Sequence, residues 1–520
     1  MTSFDRDRCK WRDDPEVPGR FIRELVGGEL IQDIWNVLRH GDGNLFLGLD
    51  IKLSTSLDAE DFMAHLRQAW KSLRWDVPIV ALQIVHVPIK GFPLPKLYMV
   101  YDVATSASEA NTWAEDTVLL KEGYKDLDDL RYQIGQDPLP PTDLKPETYV
   151  YVLPKSPDSF GLLIHASHAP FDGAGLKIVG NKLLSHLANY IGNPDYQNEE
   201  VKRMRWGSES ANLVPAVLDV VQRYEPAVED SSGNIIEKEI PGEIREGPVY
   251  EKTLAEVMDG LDKGLAHSHP FKSIIQPMFD VRQQNPRTRR ICYTFTLEES
   301  VKIKNACAQT KSPTSEKLTV NHLRTVHGSL SLLPILDNPP EKNSNAVIFF
   351  WGIFDSRRKL IPQYHNHPGY CLAMSPIQIP VSLYERFSGE DQRTLVLEFS
   401  KAIYKEYKKQ AGYSSLVSIV GEEADRILQG PPLPPWCGPW YSGDGRGSLH
   451  LSPNHEVEGR QILQLSDFFL GLNRCEPGPF FRAAEWNGRI TLSVDFNELA
   501  VEPKVVQRWM DLWRDLLLTI

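Results

Sequence analysis

FGLLIHASHAPFDGAG, residues 160–175, runs from an apolar stretch into a histidine, an aspartate four places later and a string of small residues. Upstream, TYVYVL (148–153) and FGLLIHAS (160–167) read as two strands joined by the turn-forming PKSPDS, so His168 falls just past a strand end. Downstream, AGLKIVGNKLLSHLANYIG repeats apolar residues at Leu176, Val179, Leu183, Leu187 and Ile191 and meets exit signals at Gly192, Asn193 and Pro194, which predicts a helix. The stretch is therefore a strand-to-helix corner in an α/β chain.

A histidine there can do chemistry. An imidazole titrates near working pH, so in its neutral form it can take a proton from an attacking alcohol. The strand end supplies a rigid platform, and Gly173, Ala174 and Gly175 leave the ring approachable. A buried Asp172 would need an arginine to hold its charge, which gives it an architectural role. By local chemistry alone, the plainer reading is the favoured one: Asp172 as an ordinary helix N-cap and His168 as a surface loop residue.

The 520 residues exceed what one hydrophobic core supports, so two sizeable domains are expected, with boundaries at 1–224, 225–270 and 271–520. The middle segment begins with EPAVEDSSGNIIEKEIPGEIREGP, which is acidic and without periodicity, and is expected to be an acidic linker or crossover. A formal charge of -12 opposes the cationic field that nucleic-acid binding relies on. No stretch reaches the roughly 18 apolar residues of a membrane span. The opening MTSFDRDRCKWRDDPEVPGR lacks a signal-like apolar core, and the six cysteines are scattered without a CxxC pair, so reduced thiols in a cytoplasmic protein are expected.

Along the rest of the chain, LDAEDFMAHLRQAWKSLRWD predicts a helix behind an Asp58 cap, and residues 211–224 a further one. RRICYTFTL (289–297) and AVIFFWGIFD predict strands, while EESVKIKNACAQ and LTVNHLRTVHGSLSLL (318–333) predict helices. Asn487-Gly488 predicts a tight hairpin between alternating strands, and Pro503 opens a closing helix with Val506, Trp509, Trp513 and Leu516 inward.

HAPFDG at the end of an apolar strand resembles the HxxxDG corner of coenzyme A-dependent acyltransferases, the superfamily of chloramphenicol acetyltransferase, plant alcohol acyltransferases and peptide-synthetase condensation domains. DSRRKLIP (355–362), LTVNHL and DFFLG (467–471) agree with it in order along the chain. Within it, WGSESANLVP (206–215), GYCLAMSPIQIPVSLY (369–384) and WNGRITLSVDFNELAVEP (486–503) resemble fungal trichothecene 15-O-acetyltransferases. The resemblance implies two chloramphenicol acetyltransferase-like domains, each a mixed sheet flanked by helices, with a tunnel between them. It also implies transfer of acetyl from acetyl-CoA to the 15-hydroxyl of a trichothecene such as 15-deacetylcalonectrin, in a ternary complex, without a metal or an obligate protein partner. The alternatives are another fungal alcohol as acceptor, or a silent member of the fold that binds a small molecule or a partner. Ser167 stands where condensation domains carry a second histidine, which disfavours peptide-bond formation.

Carried residue by residue, the resemblance makes His168 the general base, with Asp172 and Gly173 supporting its loop. It makes Arg290 the partner of Asp172, with Arg357 as rival, and Thr319, Asn321, Asp467 and Gly471 oxyanion or loop elements. Several features read more plainly. GDGRG (443–447) has no preceding strand in a phosphate-cradle context and is expected to be a flexible loop. His267-Ser268-His269 and His365-Asn366-His367 lack companion metal ligands, and His165 is expected to be a hydrogen-bonded core residue.

Overall fold

The structure, a computed structural model, describes residues 4–39, 41–88, 95–137, 139, 146–229, 235–275, 287–309, 322–431 and 435–520. In chain order, the elements that build the site are helix α1 (Gly28–Leu38), strands β1 (Leu45–Leu53), β2 (Thr148–Ser156) and β3 (Ser159–Ala166), and helix α2 (Gly173–Gly192). The C-terminal half supplies β4 (Val347–Asp355), β5 (Leu372–Pro380), β6 (Trp440–Arg446), β7 (Arg460–Leu472), β8 (Phe480–Trp486) and β9 (Arg489–Asn497).

The corner forms as its pattern requires. β2 and β3 pair antiparallel, β3 pairs with β1, and α2 follows with Asp172 as its N-cap, whose Oδ1 accepts from the Gly175 N–H at 2.7 Å. Leu176, Val179, Leu183 and Leu187 on α2 are fully buried. Each such side chain contributes roughly 2 kcal/mol, against about 1 kcal/mol for a cap. Packing therefore holds the helix, and the cap fixes where it begins.

The α/β class of mixed sheets flanked by helices is borne out. A six-stranded sheet runs Asn454–Val457, β7, β1, β3, β2, Val118–Leu120, antiparallel except for its last pair. A four-stranded sheet runs Thr288–Thr294, β9, β8, β6, and β4 pairs with β5 in a separate two-stranded ladder. β7 comes from the C-terminal half yet pairs with β1 in the N-terminal sheet, from Leu463 opposite Leu53 to Leu472 opposite Leu45. One core accordingly includes Leu47 and Ile164 together with Trp440 and Phe480, while a second, around Phe481, Trp509 and Trp513, lies wholly in the C-terminal half.

Other expected elements are present: a helix over Ala59–Asp76 capped by Asp58, the closing helix Pro503–Leu518, and the β8–β9 hairpin. Asn487 and Gly488 at its turn both have positive φ, 48° and 79°, as a two-residue hairpin turn demands. Helix His322–Leu330 occupies the later part of the LTVNHL segment.

Two expectations fail, and the segment from 225 to 270 carries regular structure as well. Residues 211–224 do not form a helix: Pro215 breaks the pattern, leaving one short turn, Val217–Val220, before extended chain that bridges Val221 to Leu360. The acidic stretch after 225 carries a short ladder between Val228–Glu229 and Ile235–Glu237, then a long helix, Pro248–Ala266, started by Pro248 and buried through Leu254, Val257 and Leu261. GDGRG is the end of strand β6, parallel to β8, with its irregularity absorbed as a register shift between Gly443 and Gly445.

Candidate active site

His168 is held by the backbone: its Nδ1 lies 2.7 Å from the Phe171 carbonyl. A carbonyl only accepts, so Nδ1 carries the proton and Nε2 presents a lone pair. Burial holds the ring pKa below its ordinary 6.5, while the Phe171 carbonyl and Asp172 act in the opposite sense. The ring is therefore a neutral imidazole at neutral pH, the form that accepts a proton.

Behind it, Asp172 is wholly enclosed. Burial raises the cost of its charge, but the facing guanidinium of Arg357 and the N–H groups of Gly175 and Cys371 hold the carboxyl below its usual range. Arg357 donates through Nη2 to Oδ1 at 2.8 Å and through Nη1 to Oδ2 at 3.0 Å, and the Cys371 N–H reaches Oδ2 at 2.8 Å. The same guanidinium donates to the carbonyls of His367 and Gly369 and to Asp355. The pair thus ties the corner of the N-terminal half to the ends of β4 and β5.

The rival arginine is the partner, and Arg290 is not. Arg290 lies on Thr288–Thr294, paired with β9, and its guanidinium stacks over Phe469 at 4.8 Å; Arg357 sits in the turn that follows β4, directly against the corner. Asp467 and Gly471 are corrected in the same way. DFFLG is not a loop but part of β7, where alternation sends Phe469 and Gly471 to one face, against Gly48 and Arg131, and Leu470 and Leu472 to the other. Leu470 approaches Gly173 and Leu472 lines the His168 cavity, whereas Asp467 is exposed. Thr319 and Asn321 lie outside the described residues. His165 is a core residue but is not hydrogen-bonded: neither ring nitrogen has a partner, the ring stacks on Phe46 at 4.3 Å, and burial lowers its pKa to about 3.

A cavity of about 40 Å³ opens beside His168 between the two halves. Gln32, Trp35 and Gly43 close it from the N-terminal side, and Ile353, Tyr370, Met374, Trp440 and Phe480 from the C-terminal side. Its far wall is aromatic: Trp440 stacks on Trp351 at 5.7 Å and meets Trp35 edge-on at 5.7 Å. Asp42 and Arg474 also border it, within a buried network in which Arg474 donates to Asp42, Glu476 and the Gly478 carbonyl, and Arg39 pairs with Glu476. Of these wall residues, Tyr370 and Met374 fall in the GYCLAMSPIQIPVSLY stretch quoted for its resemblance, and Trp440 ends PPLPPWCGPW (431–440), which reads in the sequence as a rigid loop near the acceptor mouth or simply at the surface; a further local signal is the GDGN turn, where Gly41 and Gly43 adopt φ of 95° and 88°. A larger cavity, about 680 Å³, lies against the other side of α1, lined by Leu30, Ile34, Leu97 and Leu428.

No family model matches the chain. Curated relatives include the trichothecene 15-O-acetyltransferase TRI3 of Fusarium sporotrichioides, 20% identical across 96% of this chain and 94% of its own, and the trichothecene O-acetyltransferase TRI3 of Trichoderma arundinaceum, 22% identical with the same coverage. The solved TRI3 structure from Fusarium sporotrichioides superposes with a TM-score of 0.81 at 17% identity, covering 99% of this chain and 98% of that one. The chain has the TRI3 fold. More distantly it superposes on the first condensation domain of the CDA synthetase, with a TM-score of 0.56 at 12% identity, over 95% of this chain and 96% of that one. The likeness to acyltransferases read from HAPFDG thus extends over the whole chain, and the TRI3 relatives are named as O-acetyltransferases.

Proposed function

We propose that the chain is an acetyl-CoA-dependent O-acetyltransferase acting on the 15-hydroxyl of a trichothecene sesquiterpenoid such as 15-deacetylcalonectrin, with His168 as general base. The observation that carries this reading is the Nδ1 to Phe171 carbonyl bond, which leaves a basic Nε2 at a cavity between the two halves. The whole-chain likeness to TRI3 acetyltransferases supports the donor and the acceptor class.

In the reaction, Nε2 takes the acceptor's hydroxyl proton as its oxygen attacks the thioester carbonyl. The tetrahedral intermediate collapses, the C–S bond breaks, and the imidazolium returns the proton to the departing thiolate. No net proton is gained or lost, and holding both reactants in one complex lowers the barrier by roughly 7–11 kcal/mol. The cavity of about 40 Å³ accepts only the reacting atoms. The bodies of both substrates must lie in passages to either side, with the surrounding side chains displaced on entry.

The test is thiol release from acetyl-CoA in the presence of a panel of hydroxylated trichothecenes. The expected result is turnover with a 15-hydroxyl acceptor, lowered roughly 10²- to 10⁴-fold in His168→Ala. Because the base must be neutral and its pKa sits below 6.5, kcat/KM is expected to be flat above that pH and to fall only below it. Turnover unaffected by loss of the imidazole overturns the role of His168; binding of the alcohol without any thiol release overturns the reading as an enzyme.

A further inference from the structure

Acyl transfer passes through an oxyanion that needs a hydrogen-bond donor held in place before the reaction begins. Arg474 borders the cavity, but its donors are occupied by Asp42, Glu476 and the Gly478 carbonyl. Two residues of the cavity wall carry buried donors, Trp440 Nε1 with no hydrogen bond to the protein and Tyr370 Oη, whose polar neighbour is the side chain of Gln32, itself on the wall. A buried hydroxyl held only by a side chain of the cavity wall can turn its proton to a stronger acceptor that arrives with the substrate.

Of the two, Tyr370 is built into the His168 corner. Its own N–H donates to the Pro170 carbonyl at 3.0 Å. The residue before it, Gly369, gives its carbonyl to Arg357, and the residue after it, Cys371, gives its N–H to Asp172. Its ring centroid stands 5.8 Å from that of His168, and its hydroxyl end packs over Gly28 at the start of α1, where a Cβ would come within 2.4 Å of Oη. The Asp172–Arg357 pair therefore fixes the imidazole and the phenol in one rigid unit. Trp440, by contrast, belongs to the aromatic stack with Trp351 and Phe480.

We propose that Tyr370 is a catalytic residue whose hydroxyl donates a hydrogen bond to the oxyanion of the tetrahedral intermediate. As the acceptor oxygen bonds to the thioester carbon, the carbonyl π pair moves onto oxygen and Tyr370 Oη–H meets that charge. When the C=O re-forms and the C–S bond breaks, the phenol keeps its proton and the thiolate receives one from His168. Burial raises the phenol pKa, so the donor stays protonated across the working range. The inference rests on the acetyl-transfer reading and adds to it the group that stabilises the charge.

The experiment compares wild type, His168→Ala and Tyr370→Phe in thiol release from acetyl-CoA with a trichothecene alcohol. Tyr370→Phe is expected to lower kcat roughly 10²- to 10³-fold, with KM for both substrates and the acid limb of the pH profile unchanged. A kcat near the wild-type value, or a loss carried wholly by KM, overturns the proposal. 3-Fluorotyrosine at position 370, a stronger acid of nearly the same size, keeps it open to refutation if the phenylalanine variant does not fold. Because it keeps the hydroxyl as a donor, this variant should hold kcat within a few-fold of wild type, and a loss as large as that expected for phenylalanine overturns the role. A wild type that releases no thiol overturns the acetyl-transfer reading and this inference together, whereas an active Tyr370→Phe beside an inactive His168→Ala overturns the inference alone.

Discussion

Asp172 and Arg357 carry opposite charges where almost no water reaches, and such a pair is stable only because each lone pair and N–H is matched. Side-chain exposure is 0% for Asp172 and 3% for Arg357, and their contacts include backbone groups from both halves. Removing one member leaves the other charged and unpaired, which costs about 3–5 kcal/mol. Arg357→Ala should therefore lower stability by that amount in urea titration and remove activity. Arg290→Ala, which deletes a guanidinium stacked on Phe469, should cost no more than about 1 kcal/mol and leave kcat within twofold. A reversed ranking would show that the guanidinium holding the corner is not the one seen here.

At the scale of elements, the first turn of α2 has no spare room. A Cβ added at Gly175 would come within 2.3 Å of the Pro368 carbonyl and 3.0 Å of Arg357 Nη2, whereas at Gly173 it would meet only Leu470 Cδ1 at 3.2 Å. Gly175→Ala is expected to destabilise by about 1–3 kcal/mol and to lower kcat by displacing Arg357. Gly173→Ala should be milder on both counts, and thermal unfolding with parallel kinetics tests the contrast. The corner was legible because β3 and α2 write their periods plainly and a cap aspartate separates them. DFFLG misled because a resemblance in motif says nothing of pairing, and only the ladder of β7 with β1 shows that Leu470 and Leu472, not Asp467 and Gly471, face the corner. The arginine was ambiguous for a related reason: Asp172 and Arg357 are separated by 185 positions, and no local pattern encodes which distant cation closes onto a cap. That Tyr370, Trp440 and Gln32 share one wall was not legible, because the wall is assembled only when the halves meet.

The whole molecule places several ionisable groups where water cannot follow, so its stability should depend on pH in two opposing ways. His165 and His327 have pKa values lowered by burial to about 3, and His367 and His455 to about 4. Below about 6.5 the unfolded chain takes up protons at these positions and the folded chain does not. Their contribution is therefore complete above that pH and is lost as the pH falls through 6.5 toward the folded values, on the order of a few kcal/mol for each. Glu423 works in the opposite sense. Burial raises its pKa to about 8 from 4.5, and neither carboxyl oxygen has a partner. The unfolded chain releases that proton above 4.5 while the folded chain keeps it, so its contribution is lost as the pH rises from 4.5 to about 8. The buried carboxyls of Glu147, Asp33 and Asp495, also held above their ordinary pKa by burial, act in the same sense as Glu423, so stability falls in acid through the histidines and toward alkali through the carboxyls. Urea midpoints measured between about pH 5 and pH 8 should fall steeply in acid for the wild type and less steeply for His165→Phe, which keeps the stack on Phe46 without the titration. Glu423→Gln should raise the midpoint near pH 8 and leave it unchanged near pH 5; a variant that behaves identically at both ends would mean that the carboxyl is ionised, or hydrated, in the folded chain.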